Sequence, residues 1–389
     1  MKKTIALILC IMCLSVNAYA MPLSDGQALT GGAYTATGEN ESAIDVSGNV
    51  NASITDVTIA KTNGKASSAD DASFRGLNAA VRVYDQASLV IDHAEINASA
   101  PNATGVFAYD DGKIFIANST VRATGGGAGG VQVAGGGTLV GVDLDVTSAS
   151  KAAIRSDRGG GTMLLDGGTY VSTGQNGCPA IYSTADITVK NATCISENSR
   201  AVIIEGKNTV TLENTTLEGN DQSTKEGSVK ANVLLYQSAS GDASEGTSVF
   251  TMKGGAMTSH SGAMFYCTNT SSVVNLEQAE LTLSDTNTLL IVSAGRWGKD
   301  GKNGGDCIFN AYQQSLDGDI QVDGISSLQL NLIDSDYAGA ITGEGSIMVS
   351  LKDSSWTLTG DSWISRFDGD LTQVIPNGYH LYIDNTLTL

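Results

Sequence analysis

The residues of this sequence that are best equipped for chemistry stand far apart. Only three histidines occur, His93, His260 and His380, each more than a hundred residues from the next, so a His-based metal site or a Ser-His-Asp triad would need the fold to gather them. Cys178, Cys194, Cys267 and Cys307 show no CxxC spacing, which argues against a zinc knuckle or a redox dithiol. Asp110 and Asp111 with Lys113, and Arg155 with Asp157 and Arg158, have the composition of a calcium or carboxylate site. No third carboxylate joins them in sequence, and the reading is a solvated turn. The glycines of residues 125–137 do not precede a helix, so a phosphate-cradling loop is not indicated. Arg296-Trp297-Gly298-Lys299-Asp300, followed by Lys302, sets an apolar ring among cations. Arg296, Trp297, Lys299 and Lys302 are therefore the candidate ligand-contact residues. No catalytic, metal or cofactor-binding set emerges, and no cofactor is expected.

The elements that must position these residues follow from composition and period. The 389 residues carry 22 basic and 41 acidic side chains, a net charge of -19. Such a surface repels phosphate backbones and anionic headgroups, so nucleic acid is not an expected partner. Hydrophobic residues make up 41%, enough for a buried core, while abundant Gly, Thr, Ser and Asn disfavour helices. Lys2 and Lys3, the apolar run 4–16 and Ala18-Tyr19-Ala20 predict an export signal over residues 1–20. An exported chain is permitted disulfides. No later stretch has the apolar length of a membrane helix.

A short strand pattern recurs along the rest of the chain, with apolar anchors at Tyr34, Ile59, Ile96, Val121, Val146, Val171, Ile195, Leu217, Met257, Leu283 and Leu316. Four of the intervals between them are 25 residues long. Two further strands fit within each period, for example residues 105–108 and 113–116, 131–134 and 138–140, 180–183 and 187–189, and 201–204 and 210–212. Three short strands per period predict an all-β, right-handed parallel β-helix of about 12 coils, because one coil cannot bury its own apolar face while stacked coils share a core. The coils are expected over residues 21–325, with C-terminal coils and a cap over 326–389. Asn118, Asn191 and Asn214 fall at the bend between second and third strands, where stacked amides of the adjacent coils could hydrogen-bond. His93 falls at the same bend and reads as a turn residue.

Insertions are expected near residues 64–73, 220–230, 238–246 and 296–306, where the period stretches; in solenoids such loops map to the binding face. The last two share one phase and should leave the same edge of the rod. Cys10 and Cys13 belong to the expected export signal, which leaves four cysteines and three possible connectivities; phase suggests a disulfide between Cys267 and Cys307 at the base of a loop, and another between Cys178 and Cys194.

The coils, together with Ser355-Trp356-Thr357-Leu358-Thr359-Gly360-Asp361-Ser362 and Asn377-Gly378-Tyr379-His380-Leu381-Tyr382-Ile383, resemble passenger domains of bacterial autotransporters of the pertactin and AIDA adhesin type. The resemblance implies a pectin-lyase-like β-helix on the surface of a Gram-negative bacterium, or secreted from it. Trp356, Leu358, Tyr379, Leu381 and Ile383 would close its core. A translocator barrel of ten-residue strands is expected to be lacking. The implied partners are a host or bacterial surface glycan or protein, or another copy of the chain. Pectate lyases and polygalacturonases share this fold, and Val90-Ile91-Asp92-His93 resembles a pectate lyase segment without its Trp. Polygalacturonase strings are absent. A non-enzymatic adhesin is therefore expected, with a polysaccharide lyase or hydrolase, or a periplasmic structural protein, as alternatives.

Overall fold

The computed structural model describes residues 17–18, 21–175, 177–225 and 227–389. The expected export signal, residues 1–20, lies outside the described residues apart from the backbone of Asn17–Ala18. The chain is an all-β parallel β-helix. Each coil contributes a first strand to one parallel sheet, and that sheet's thirteen strands stack in sequence order from Met21–Pro22 to Ile341–Gly343. Second and third strands form two further stacks, so that, for example, Lys113–Ala117 pairs with both Ser88–Asp92 and the start of Gly137–Ser148. The strands expected from the period occur as Val106–Tyr109, Val131–Ala134, Ile181–Ser183 and Val202–Glu205 in the first stack, and as Lys113–Ala117, Asp186–Lys190 and Thr209–Glu213 in the second. The stacking continues through Ser327–Ile333 and Ser346–Lys352, residue beside residue.

Alternation within the second strands sends Leu89, Ile114, Leu139, Met163, Ile187, Val210 and Phe250 inward, in register from coil to coil. All of them are buried, and each such side chain contributes about 1.5–3 kcal/mol when fully removed from water. Phe265 meets Phe250 and Phe309 edge to face, with ring centroids 5.7 and 5.5 Å away. The third-strand register corrects three of the anchors, and one of them is Leu283, whose place beside Met257 is taken by Leu281. Tyr170 and Cys194, rather than Val171 and Ile195, stack beneath Val146 and above Leu217. Gly167 and Gly168 take the bend in that coil and close it one residue early; since both members of each pair are apolar, period alone could not choose between them.

Bends between second and third strands use left-handed backbone. Asn118, Asn191 and Asn214 have φ of 47°, 49° and 48°, and His93 has φ of 51°. Asn tolerates this region because its side chain bonds locally. Across coils the side chains do not form the expected amide-to-amide stack but reach carboxylates of the preceding coil: Asn118 Nδ2 donates to Asp92 (2.9 Å) and Asn191 Nδ2 to Asp166 (2.7 Å). An amide ladder does form elsewhere, on the outer face of the second strands. There Asn331 donates to Asn310 (2.8 Å), Asn310 to Asn275 (2.9 Å) and Asn275 to Thr251 (3.1 Å). Trp356, Leu358 and Leu381 are buried in the last coils, as the resemblance implies. Tyr379 is not; it sits in the Asn377-Gly378 turn and is 42% exposed.

Candidate functional site

One face of the rod departs from the solenoid rule. Strands in a sheet packed on one side only alternate buried and exposed residues, whereas strands covered on both faces read as unbroken apolar runs. The first strands Val202–Glu205, Ala231–Tyr236 and Ala263–Thr268 are buried at every position. Their outward row, in register across successive coils, runs Phe107, Gln132, Arg155, Tyr182, Ile203, Leu234, Tyr266 and Ile291. A second layer must therefore lie over this sheet.

The insertions supply it, arriving from both edges. On one edge, residues 62–80 carry the helix Ala69–Arg75, capped by Ser68, whose Oγ accepts from Asp71 N–H (3.1 Å), and ended by left-handed Gly76 (φ 67°). Gly76 packs so closely on Phe107 that a Cβ there would lie 2.6 Å from the ring, which is why the helix ends in glycine. Gln132 Nε2 donates to Ser73 O (2.8 Å) and Lys151 Nζ to Ser73 Oγ (2.5 Å), fixing the helix to the sheet. Arg155 gives two hydrogen bonds to Asp157 (3.0 and 2.8 Å) and stacks over Tyr182 at 4.5 Å. Tyr182 OH and Ser238 OH donate to the buried Glu205 carboxylate, as does Tyr236 OH at 2.8 Å. Burial beside this carboxylate pushes both phenols up, so they remain donors.

Further along, residues 220–230 and 293–305 approach each other over the sheet. Arg200 is buried and donates through Nε to Asp221 (2.9 Å) and through Nη2 to Val229 O (2.6 Å). Burial lowers its pKa, with Asp221 opposing. From the other side Trp297 lies against Tyr236, centroids 4.6 Å apart, with the Arg296 guanidinium 4.5 Å above the Trp297 ring. Asn303 Nδ2 holds this loop through Gly295 O (2.7 Å) and Trp297 O (2.9 Å). Between the two loops opens a cleft of about 160 Å³, floored by Tyr182, Ile203, Leu234 and Tyr236 and walled by Arg200, Asp221, Lys225, Arg296 and Trp297.

The structure thus brings Arg296 and Trp297 to this cleft, but not Lys299 and Lys302, which stand exposed at the loop tip and are not among the lining residues. Trp297 is half-buried against the coils rather than projecting. Residues 238–246 leave the same edge as 293–305, after the first strand, and are tied back by Arg158–Asp242 at 2.6 Å. Asp110 and Asp111 share their phase with Arg158, separated by Gly135 and Gly136 of the intervening coil. Asp157 turns instead to Arg155, so these charges do not converge. Each histidine faces one carboxylate: His93 with Asp92 (2.9 Å), His260 with Glu218 (3.1 Å) and His380 with Asp361 (3.2 Å). Among the described residues no group of three or more His, Cys, Asp or Glu could hold a metal.

Among the described residues Cys178, Cys194, Cys267 and Cys307 are free thiols. Cys267 and Cys307 do meet in the core, Sγ to Sγ 3.7 Å, beyond the 2.0 Å of a bond. Cys178 instead donates to Ser150 O (2.9 Å), while Cys194 is buried in the core between Tyr170 and Leu217. Sequence reasoning missed Arg200, Asp221, Tyr182, Glu205 and Tyr236. The signal was nevertheless present in the unbroken runs Val202-Ile203-Ile204 and Val233-Leu234-Leu235-Tyr236, which contrast with the alternating second strands. No protein-family model matches the chain, and a search of curated proteins finds no match either.

Proposed function

We propose that this chain is an exported, adhesin-like β-helical protein of a Gram-negative bacterial surface, acting by binding rather than by catalysis. The observation that carries the reading is the convergence of insertions from both edges of the rod over the outer face of the first-strand sheet, where they enclose an aromatic-floored, polar-walled cleft. A solenoid needs no second layer for its own core, since the inward rows already supply a continuous one. Concave sites with apolar floors and a few polar side chains are where proteins hold small ligands. Two buried polar groups near the cleft are held by partners, Glu205 by its hydroxyl donors and Arg200 by Asp221, which suits a rigid recognition surface.

Attachment of cells displaying the chain to glycan-coated and protein-coated surfaces tests this. Replacing residues 296–302 by a Gly-Ser linker is expected to reduce attachment at least tenfold while leaving the β-sheet circular dichroism unchanged. Unaltered attachment, or turnover of acidic polysaccharides by the purified chain, would overturn the reading.

A further inference from the structure

We infer that Cys267 and Cys307 are a modification site, a dithiol that a disulfide oxidant converts to an intramolecular disulfide clamping the base of the loop 293–305. The two thiols come from successive coils: Cys267 lies near the end of the first strand Ala263–Thr268, and Cys307 near the start of the second strand Asp306–Tyr312 of the next coil. They are 40 residues apart in sequence, yet Sγ stands 3.7 Å from Sγ in the core. Backbone packing brings them together. Gly305, where the loop returns to the coil, lies so close to the chain at Cys267 that a Cβ there would be 2.6 Å from Cys267 O. Closing the bond requires the sulfurs to approach by about 1.7 Å more. The other two thiols are engaged elsewhere: Cys178 donates to Ser150 O at 2.9 Å, and Cys194 stacks between Tyr170 and Leu217. The structure therefore singles out one pair.

The chemistry is thiol–disulfide exchange. One thiolate attacks the oxidant's disulfide and releases a thiol; the second then attacks the mixed disulfide, forming the Cys267–Cys307 bond and releasing the oxidant's other thiol. The pair loses two electrons and two protons, and the oxidant is reduced to two thiols. Both cysteines are buried in the assembled rod, and contact with Cys267, followed by burial, holds the Cys307 thiol well above its ordinary pKa. Exchange therefore belongs to the stage before these coils close, while a thiolate can form and the oxidant can reach it. The bond encloses the strands Ser271–Glu277, Glu280–Thr282 and Thr288–Val292 and the whole insertion that carries Arg296 and Trp297. A link closing so long a loop restricts the unfolded chain, and here it also holds both ends of the insertion in register.

The test is peptide mapping of the full chain after alkylation in urea without reduction, on protein directed to an oxidising periplasm and on protein made in a reducing cytosol. The periplasmic chain is expected to yield a linked Cys267–Cys307 peptide with Cys178 and Cys194 alkylated, and the cytosolic chain to yield four alkylated thiols. Reductant present during urea unfolding should lower the midpoint of the periplasmic chain by about 1 M and leave the cytosolic chain and periplasmic Cys307→Ala unmoved. Cys178→Ala should still form the bond, which gives a second variant to read where Cys307→Ala fails to fold. Four alkylated thiols from the periplasmic chain, a bond from Cys267 or Cys307 to Cys178 or Cys194, or a midpoint indifferent to reductant would overturn the inference. Attachment is measured separately, so failure here leaves the binding reading untouched.

Discussion

Lys151 offers a quantitative test of the second layer. Its amine donates to Ser73 Oγ of the helix Ala69–Arg75 at 2.5 Å, beneath that helix and beside Arg155. Burial, followed by the Arg155 charge, lowers its pKa to about 8 from 10.5. Folding therefore favours the neutral amine. At pH 7 the amine is charged in both states, and the folded state bears the whole cost of keeping it so. Between pH 8 and 10.5 the unfolded chain binds the extra proton, and stability from this group rises with pH. A shift of this size corresponds to about 3 kcal/mol as a ceiling, at about 1.36 kcal/mol per pH unit, reduced by whatever solvent reaches the half-buried amine. Other groups work in the opposite direction: burial raises Tyr170 and Tyr236, and pushes Cys194 up to about 12, so their contributions are lost as pH rises past the unfolded values. The wild type alone would blur the two trends. The difference between wild type and Lys151→Met, followed by urea unfolding from pH 7 to 10.5, cancels the common groups. It also absorbs the lost Ser73 hydrogen bond as a constant. The wild type is expected to gain about 2–3 kcal/mol on the variant across that range. A difference that stays flat would show that water reaches the amine freely and that the helix does not cover it.

Three further outcomes follow from the same structure. Asp221→Ala strands the buried Arg200 without its partner and should cost about 3–5 kcal/mol, read as a lower urea midpoint, with Arg200→Met in the same background recovering much of the loss. Asn191→Val forces a β-branched residue into left-handed backbone at φ 49°, at a cost of about 1–2 kcal/mol, whereas Asn191→Gly should be close to neutral by the same measurement. Maleimide labelling of the native protein should modify the partly exposed Cys178 first and leave Cys194, Cys267 and Cys307 protected until urea is added. Rapid native labelling of all four would contradict their placement.

Much of the architecture was legible before any coordinates. The recurrence of Val121, Val146 and their neighbours at intervals near 25 residues, with Asn at one bend, pointed to stacked three-strand coils, because a sandwich or barrel of short strands needs no fixed period with the same residue types at the same phase. The same periodicity placed His93 at a bend, where it now stands with φ of 51°. Loop phase was readable too, since the insertions expected near 238–246 and 296–306 both leave after a first strand, Ala231–Tyr236 and Thr288–Val292.

The direction those loops take was not readable. Whether Trp297 projects or folds back depends on what lies beneath it, and Tyr236 stands some sixty residues earlier in sequence. The pairing of Arg200 with Asp221, the gathering of Tyr182, Tyr236 and Ser238 on Glu205, and the thiol contact of Cys267 with Cys307 are likewise products of coil stacking. Sequence period determined which residues share a row and which positions must turn. Only the tertiary structure decided which outward row is covered and what faces the resulting cleft, because burial of an outward residue depends on chain from other coils crossing over it.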